Sequence, residues 1–434
     1  MLAIPLFATL LSFTSFKLDN GLTVLVHEDH TVPVVAVDVW YHVGSRDEVK
    51  GKTGFAHLFE HMMFQGSAHV ADKQHFKYVQ EAGGWGNGTT NTDRTNYFEV
   101  LPSSFLELGL WLEADRMGFL LATLTQEKLD NQRDVVRNEK RQNYDNRPYG
   151  LAPKAIFENL YPPEHPYHHL TIGEHEDLEQ ASLDDVKAFF KKYYAPSNAS
   201  IAIAGDVDAA TVKKLCEKYF GPLPSLPPPD RARKAPPQPV LKAEKRVQLE
   251  DRVTLERVYI TWPSPPMFAP GDAELDLLAA TLGSKSGRLY KRLVYEARLA
   301  QVVEVAQSSA PLSSQWEVVV TLKPGHTAAE VLPIVDEEIA RARKEPLTAL
   351  EIEKAKNEFE SSFLYRLMSV GGFNGRADQL NMYAYYAGDP AFLDKDIERY
   401  RAVAADGIQS WAQKTLGPGR LVVTVSPKKK KESK

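Results

Sequence analysis

Residues 54–66 read Gly-Phe-Ala-His-Leu-Phe-Glu-His-Met-Met-Phe-Gln-Gly, and we expect them to form a helix. Side chains four residues apart on a helix lie one turn above the other, so His57 and His61 project from the same face. Glu60 stands beside His61 and three residues from His57, and its carboxylate flanks the same point. Apolar side chains occupy the other positions, which indicates a helix buried on most sides with one polar stripe facing a cleft.

Two imidazoles placed in this way can bind one tetrahedral metal ion, typically zinc. A buried polar stripe needs partners, and a metal ion would provide them. The order His-x-x-Glu-His is the inverzincin motif, the reverse of His-Glu-x-x-His. The alternative is a pair of core histidines that hydrogen-bond to their surroundings, because tetrahedral zinc needs a third protein ligand that the motif itself lacks.

A second helix, expected over residues 126–143, contains a candidate for this third ligand. Gln132 and Glu139 are seven residues apart and share a face, and Val135 and Val136 are expected to anchor the helix to the core. A glutamate oxygen would complete a His₂Glu site and leave the fourth coordination position for water. Spacing alone favours the other interpretation, in which Glu139 is a solvent-exposed helix residue.

The composition is that of an ordinary globular protein, with 434 residues, 43% hydrophobic and 25% charged. A net charge of −5 argues against a general nucleic-acid-binding protein, because neutralising phosphates requires clustered Lys and Arg. The single cysteine, Cys216, excludes an intramolecular disulfide and a multi-cysteine zinc site. We find no later run of about 18 apolar residues and therefore predict no membrane-spanning helix.

The two ends of the sequence are less informative. Residues 1–13 are apolar enough for a truncated signal segment, but they lack a cationic start and a clear cleavage site. We favour an edge strand over residues 8–16 that leads into the first hairpin. The basic run at 428–431 is interpreted as a solvated tail rather than a docking segment. These features leave the cytoplasm and the periplasm of a bacterium both open as the compartment.

Strands and helices alternate in the first half of the chain. An Asn-Gly turn within residues 17–26 predicts a hairpin, and the valine-rich residues 34–43 predict a buried strand. Further elements are expected as helices at 72–82, 105–121, 183–193 and through Cys216, and as strands at 97–101 and 200–205.

Residues 222–241 are dense in proline and mark the clearest boundary in the chain. Beyond this linker a similar pattern returns, although without a second His-x-x-Glu-His. The expected elements are strands at 246–262, 316–322 and 420–425, and helices at 271–283, 287–297, 328–344, 349–367 and 395–414.

Strand–helix–strand segments of similar length on both sides of a linker predict a duplicated α+β unit, with a mixed or antiparallel sheet packed with helices in each copy. The predicted domains are a motif-bearing one (1–221), the linker (222–241), a homologous one without the motif (242–427) and a basic tail (428–434).

These residues resemble the pitrilysin/insulinase family of inverted-motif zinc peptidases, in the branch similar to mitochondrial processing peptidase and its bacterial relatives. The resemblance covers nearly the whole chain, and it implies two homologous domains that form half of a clamshell-shaped peptidase. Besides the motif helix, it is carried by residues 18–24 (Leu-Asp-Asn-Gly-Leu-Thr-Val), 134–139, 165–167, 172–173, 194–198, 205–207 and 288–290.

The resemblance also implies roles for individual residues. His57, His61 and Glu139 resemble the ligands of one zinc ion per chain, and Glu60 resembles the general base. Where the family commonly has a further glutamate, this chain has Gln132, whose amide could hydrogen-bond near the metal but carries no charge.

The pair Asn87-Gly88 is similar to the family's Asn-Ala, which lies on the edge strand that pairs with the substrate backbone. A glycine fits this place because a side chain would obstruct an incoming strand. The alternative interpretation of these two residues is a plain turn.

The second half departs from the pattern of active members, which present an Arg and a Tyr seven residues apart that hold the substrate. Alignment on Arg288 puts these positions at Val294 and Gln301, and neither side chain can perform that task. Arg376 and Tyr383 have the same spacing but lie in another segment, and we treat this spacing as a coincidence.

The resemblance therefore implies a zinc endopeptidase or oligopeptidase that hydrolyses unfolded peptides with metal-activated water and Glu60 as general base. Because the chain is similar to a metal-bearing subunit but lacks the Arg/Tyr pair, we expect a heterodimer with a homologous partner that supplies the pair. The alternatives are a homodimeric peptidase and a non-catalytic scaffold or binding subunit.

Overall fold

The computed structural model describes residues 10–229 and 236–428. Strands and helices alternate in the first half much as the sequence pattern predicts. The elements are β1 (Thr14–Lys17), β2 (Thr23–Glu28), β3 (Val34–Tyr41), α1 (Phe55–Met62), α2 (Gln74–Glu81), β4 (Trp85–Thr90), β5 (Thr95–Pro102), α3 (Leu106–Phe119), α4 (Gln126–Lys140), α5 (Ala152–Leu160), α6 (His175–Gln180), α7 (Leu183–Tyr193), β6 (Ala199–Gly205) and α8 (Ala209–Tyr219).

The second half contains a further five strands and seven helices among the described residues. They are β7 (Lys245–Asp251), β8 (Arg257–Ser264), α9 (Asp272–Gly283), α10 (Arg288–Tyr290, continued by a π-helix Lys291–Glu296), β9 (Ala300–Ser308), β10 (Ser314–Leu322), α11 (Ala328–Lys344), α12 (Ala349–Arg366), α13 (Arg376–Met382), α14 (Phe392–Arg401), α15 (Ala405–Thr415) and β11 (Leu421–Pro427).

The first sheet has six strands in the order β1-β2-β6-β3-β5-β4, so β4 lies at one edge. Only β2 and β6 run parallel, and Val37 at the centre pairs with Ile203 on one side and Glu99 on the other. Helix α3 packs on one face, where Gly109 approaches Val37. On the other face the indole of Trp40 donates a hydrogen bond of 3.0 Å to Asp378 of α13.

The second sheet has five strands in the order β7-β11-β8-β10-β9. Its parallel pair is β7 with β11, and the remaining pairs are antiparallel. Trp262 and Trp316 meet edge to face in its core, with ring centroids 5.6 Å apart. This order repeats β2-β6-β3-β5-β4 of the first sheet, so the prediction of a duplicated α+β fold is confirmed.

The chain forms two compact units from non-contiguous segments. Within the described residues, the first unit contains 10–137, 171–229 and 363–397, and the second contains 138–170, 236–362 and 398–428. Each half of the sequence therefore contributes one segment to the unit built around the other half's sheet. The linear domain boundaries at 221 and 242 stay a prediction about how the sequence is duplicated.

Several local expectations differ from the structure. The strand expected over 246–262 is two strands, β7 and β8, and the helix expected over 395–414 breaks before α15, where Ala404 has an extended backbone (φ −117°, ψ 162°). Val136 is fully buried, but Val135 is 42% exposed and does not anchor α4. Within the described part of residues 8–16, the predicted strand begins only at Thr14.

Parts of three sequence features lie outside the described residues. They are the start of the apolar N-terminal segment, the middle of the proline-rich linker and nearly all of the basic tail, at residues 1–9, 230–235 and 429–434.

Candidate metal centre

Helix α1 begins where two backbone groups are held by one carboxylate. Glu48 accepts hydrogen bonds from the N–H groups of Gly54 (2.9 Å) and Ala56 (2.8 Å), which occupy the first turn and have no partner within the helix. Gly54 itself has a φ of +84°, a conformation that favours glycine. The start of the helix is therefore fixed by a side chain outside it.

The rest of α1 is oriented by its apolar side. Leu58, Phe59 and Met62 are at most 1% exposed and pack into the core of the first unit. The remaining face carries His57, Glu60 and His61, all half-buried. This distribution matches the polar stripe that the sequence spacing predicted.

The structure brings Glu139, in the last turn of α4, to the two histidines. One ligand atom each from His57, His61 and Glu139 lie within 4.8 Å of one another, and the two imidazole rings stand nearly perpendicular with centroids 4.8 Å apart. Burial and the charge of Glu139 together raise the pKa of Tyr144 nearby.

Two nitrogen donors and one carboxylate oxygen are a donor set that zinc accepts in catalytic sites. At metal–ligand bonds of about 2.0–2.2 Å and a tetrahedral angle, two donor atoms on one zinc ion lie roughly 3.3–3.6 Å apart. The three donor atoms lie within 4.8 Å of one another, so small side-chain movements would bring them onto one ion. The three residues fit the ion.

A second group of ligand-type side chains, His75, Glu99 and Glu113, is buried behind α1. Arg116 supplies the positive charge within it, forming an ion pair with Glu113 and a contact of 3.3 Å with Glu99. Burial raises the pKa of both carboxyl groups and lowers that of His75 to about 3. Because a guanidinium occupies this group, we interpret it as a structural charge cluster rather than a metal site.

Glu60 is positioned by the end of strand β4. The hydroxyl of Thr90 donates a hydrogen bond of 2.5 Å to its Oε2 atom. Glu60 also lies between His57 and His61 along α1, on the same half-buried face of the helix. A group in this place can exchange a proton with a water molecule bound there.

Asn87 and Gly88 lie in β4, the edge strand, rather than in a turn. The N–H of Gly88 donates to the side-chain oxygen of Asn87 at 2.8 Å. A Cβ added to Gly88 would meet Tyr97, Phe64 and Glu60 at 3.1 to 3.3 Å. The glycine therefore allows the strand to pass closely over the side chain of Glu60.

The other residues that the sequence singled out have different surroundings. Gln132 is 8% exposed, two turns before Glu139, and its amide donates to Asn131 at 3.2 Å. Its role near a metal stays a prediction. Val294 is half-buried in the π-helix that follows α10, and Gln301 is exposed on β9.

Arg376 and Tyr383 are both engaged inside the first unit. Arg376 forms an ion pair with Asp29 and donates to the carbonyl of Leu367 at 2.7 Å. The hydroxyl of buried Tyr383 donates to Asp396 at 2.8 Å. These contacts support the interpretation that their seven-residue spacing is coincidental.

Sequence reasoning missed Glu48 and Thr90, which position the polar stripe. Glu48 lies six residues before the first N–H that it binds, outside the usual spacing of a capping residue. Thr90 reaches Glu60 only because β4 packs beside α1, and a local pattern contains no signal for such a contact.

Comparisons with known proteins agree with this fold. A sequence profile described as Insulinase (Peptidase family M16) matches residues 23–170, and one described as Peptidase M16 inactive domain matches residues 180–359. The zinc protease PqqE of Helicobacter pylori is 32% identical over 369 residues, which cover 83% of this chain and 81% of that protein. The chain belongs to the insulinase family of metallopeptidases, peptidase family M16.

Other relatives extend this similarity. The mitochondrial-processing peptidase subunit beta of Blastocladiella emersonii is 29% identical over 211 residues, 48% of this chain and 44% of that protein. The crystal structure of a protease from Helicobacter pylori has a TM-score of 0.87 and 28% identity, covering 96% of this chain and 100% of that one. The first half of the periplasmic protease PqqL from Escherichia coli shares the fold, with a TM-score of 0.77 and 16% identity over 95% of this chain and 91% of that one.

In the part of the chain that the structure describes, no helix combines the length and the apolar character needed to cross a bilayer.

Proposed function

We propose that the chain is a zinc-dependent endopeptidase or oligopeptidase that hydrolyses unfolded peptides, with His57, His61 and Glu139 holding one zinc ion. The observation that carries this proposal is the convergence of three ligand atoms within 4.8 Å, beside a carboxylate on the same helix. Zinc bound there would lower the pKa of water and polarise a peptide carbonyl. The zinc proteases among its relatives support the same chemistry.

In this proposal Glu60 is the general base. Its carboxylate accepts a proton from the attacking water and then delivers it to the leaving amine. The hydrogen bond from Thr90 keeps the carboxylate in one orientation during both transfers. The peptide adds to the edge strand β4 beside Asn87 and Gly88, and the absence of a side chain at Gly88 lets this strand lie close to Glu60.

A homologous partner subunit completes the proposed enzyme. Val294 and Gln301 offer no cationic or phenolic group to hold a substrate carbonyl, and the profile that matches residues 180–359 describes an inactive domain. One relative is named as the subunit beta of a processing peptidase. We therefore propose a heterodimer in which the partner contributes an Arg/Tyr pair, with a homodimer as the alternative arrangement.

The same match to an inactive domain supports a second candidate, a non-catalytic scaffold or binding subunit. The two candidates differ in metal content and in their dependence on Glu60. A scaffold has no requirement for stoichiometric zinc, and its function is insensitive to Glu60→Gln.

The test combines zinc analysis with a peptidase assay. The purified chain, alone and mixed with a candidate homologous partner, is given quenched unstructured peptides, and zinc is measured by atomic spectroscopy. We expect one zinc per chain and an activity that depends on the partner. Glu60→Gln should retain zinc and reduce kcat by about 10²–10⁴-fold, the usual contribution of a general base.

Glu81→Gln, an exposed glutamate at the end of α2, is the matched control and should change neither quantity. A chain without zinc whose behaviour ignores Glu60→Gln would establish the scaffold instead. Full activity of the chain by itself would contradict the heterodimer and favour a homodimer.

A further inference from the structure

Strand β4 presents two different faces beside its open edge. Gly86 and Gly88 lie on the face of α1, because added Cβ atoms would meet Glu99 and Glu60 respectively. Trp85 alternates with them and lies on the opposite face, where its ring contacts Phe98. Among the described strands β4 pairs with β5 alone, so its outer edge is open to an added strand.

On this opposite face two large aromatic side chains are exposed. Trp85 is 48% exposed and Phe373, in the segment between α12 and α13, is 56% exposed. Both rings stand edge to face on Phe98, which is 1% exposed, with centroids 5.5 Å and 5.1 Å away. We name Trp85 and Phe373 together the aromatic shelf.

The glycines that precede Phe373 pack closely against strand β3 and against Trp85, and they fix the position of the shelf. A Cβ on Gly371 would lie 2.2 Å from the Cβ of Ala36 on β3, so only glycine allows this approach. Gly372 has a φ of +80° and supports the indole of Trp85, where an added Cβ would lie 2.7 Å from the ring. The N–H of Asn374 then donates to Asp378 at 2.9 Å.

Exposed aromatic rings that are held in place are suited to binding apolar surface. Large rings cost free energy when they stay in water, and clustered exposed apolar side chains mark binding surfaces. Rings that are already immobilised lose little conformational entropy on binding. The shelf is therefore prepared to receive apolar surface beside the strand edge.

The geometry of an added strand indicates which part of a peptide would contact the shelf. Successive side chains of an extended peptide point to opposite faces of the sheet, so every second one would lie on the face of Trp85. A residue on β4 and its direct cross-strand neighbour share a face, and diagonal neighbours remain within reach of an aromatic ring. A bulky apolar side chain in such a position would cover the shelf.

We propose that the aromatic shelf is a specificity subsite that selects unfolded peptides with a bulky apolar residue, such as Leu, Ile or Phe, at one position on this face. The inference rests on the proposed peptidase function, and it names the class of substrate. The face of α1 receives the alternate side chains. A peptide with Ser, Asp or Gly at the selected position loses this contact.

Cleavage-site profiling tests the shelf in the full chain, with the partner present if activity needs it. A library of unstructured peptides is digested and the sequences around each cleaved bond are read by mass spectrometry. We expect a preference for bulky apolar residues over Ser at one position, and we expect Trp85→Ala and Phe373→Ala each to reduce it roughly tenfold. Trp85→Phe should retain most of it.

Phe119→Ala is the matched control. Phe119 is 44% exposed at the end of α3, which packs on the other face of the sheet, and its ring contacts His69. This variant should leave the preference unchanged. Thermal unfolding of every variant shows that a loss of preference is not a loss of fold.

A binding arm separates the two proposals. Fluorescence anisotropy measures a labelled leucine-containing peptide and its serine counterpart against Glu60→Gln, with and without Trp85→Ala and Phe373→Ala. We expect the leucine peptide to bind roughly tenfold more weakly to the shelf variants, and the serine peptide to be unaffected.

The possible results distinguish failure of the shelf proposal from failure of the peptidase proposal. Cleavage by the wild type with an unchanged preference in both shelf variants would overturn the shelf and leave the peptidase function standing. Shelf-dependent binding without cleavage would retain the shelf as a peptide-binding site and remove the peptidase function. A wild type that neither cleaves nor binds peptides would remove both.

Discussion

The two sheets of this protein share a strand order but differ in chemistry. The order β7-β11-β8-β10-β9 repeats the order β2-β6-β3-β5-β4, and the parallel pair has the same place in both. The equivalent strands β3 and β8 are each followed by a helix, α1 in the first sheet and α9 in the second. Only α1 carries His-x-x-Glu-His. A scaffold and the reactive groups built on it can therefore diverge independently.

The contrast between α1 and α9 shows how the difference arises. In α9 the side chains of Leu275, Leu278 and Leu282 are fully buried, and Asp276 accepts a hydrogen bond from Tyr400. In α1 the apolar residues are also buried, but the side chains of His57, Glu60 and His61 share the remaining, half-buried face. Side chains on helices that follow equivalent strands therefore give α1, and not α9, the paired histidines and the glutamate.

Substituting a proposed zinc ligand should give the largest effect, and it would remove the chemical difference between the two sheets. Loss of a residue that only supports a ligand costs about 10–100-fold in metal affinity, so Glu139→Gln should weaken zinc binding by more than about 100-fold. Zinc titration with a chelating competitor measures this. Glu127→Gln, in the first turn of the same helix, is the control. Retention of wild-type affinity by Glu139→Gln would exclude Glu139 from the site.

Adding a side chain at Gly88 on the edge strand β4 should give an intermediate effect on activity. A Cβ on Gly88 would press on Phe64, Tyr97 and Glu60, so Gly88→Val should displace Glu60 and obstruct an added strand. We expect kcat/KM for unstructured peptides to fall by about tenfold to a hundredfold, since small misplacements of reacting groups have effects of this size.

The matched control lies on the edge strand of the other sheet. Ala306 is exposed on β9, and Ala306→Val should leave kcat/KM unchanged. Equal losses in the two variants would show that both edges serve the substrate, and the functional contrast between the sheets would disappear.

The last prediction concerns stability rather than metal binding or catalysis, and it involves a carboxyl group of the second sheet. Burial raises the pKa of Glu317 on β10 to about 7, while Thr261 donates a hydrogen bond of 2.8 Å to it. The folded state therefore favours the protonated form. The contribution of the protonated Glu317 carboxyl to the free energy of unfolding is complete below about pH 4, where an unfolded glutamate is also protonated. This contribution is lost as the pH rises to about 7.

Glu317→Gln should therefore match the wild type near pH 4 and become the more stable protein by pH 7 and above, by up to about 3 kcal/mol. Thermal unfolding at a series of pH values measures the difference. Glu250→Gln, an exposed glutamate on β7 of the same sheet, should show a much smaller dependence. A difference between Glu317→Gln and wild type that does not grow with pH would contradict the assignment.

Much of the fold follows from short-range patterns in the sequence. The four-residue spacing of His57 and His61 among apolar residues is sufficient to predict α1 and its polar stripe, because helix geometry depends only on nearby residues. The Asn-Gly turn, the valine-rich strand and the proline-rich linker are likewise local signals. For the same reason the repeated alternation of strands and helices predicted the duplicated fold.

Other features depend on contacts between residues far apart in the chain. Strand β9 and helix α13 have weak local patterns and were not predicted, and the packing of α13 on the first sheet rests on contacts such as that of Trp40 with Asp378. Neither a spacing nor a composition encodes which sheet such a segment covers.

The sequence by itself determined the paired histidines, the glutamate between them and the two-fold repetition of the scaffold, since each depends on residues close together in the chain. Only the tertiary structure decided that Glu139 reaches those histidines and that Thr90 holds Glu60. The pairing of Trp85 with Phe373 over Phe98 also depends on it. These meetings result from the packing of whole helices and strands, whose free energy is summed over many distant side chains.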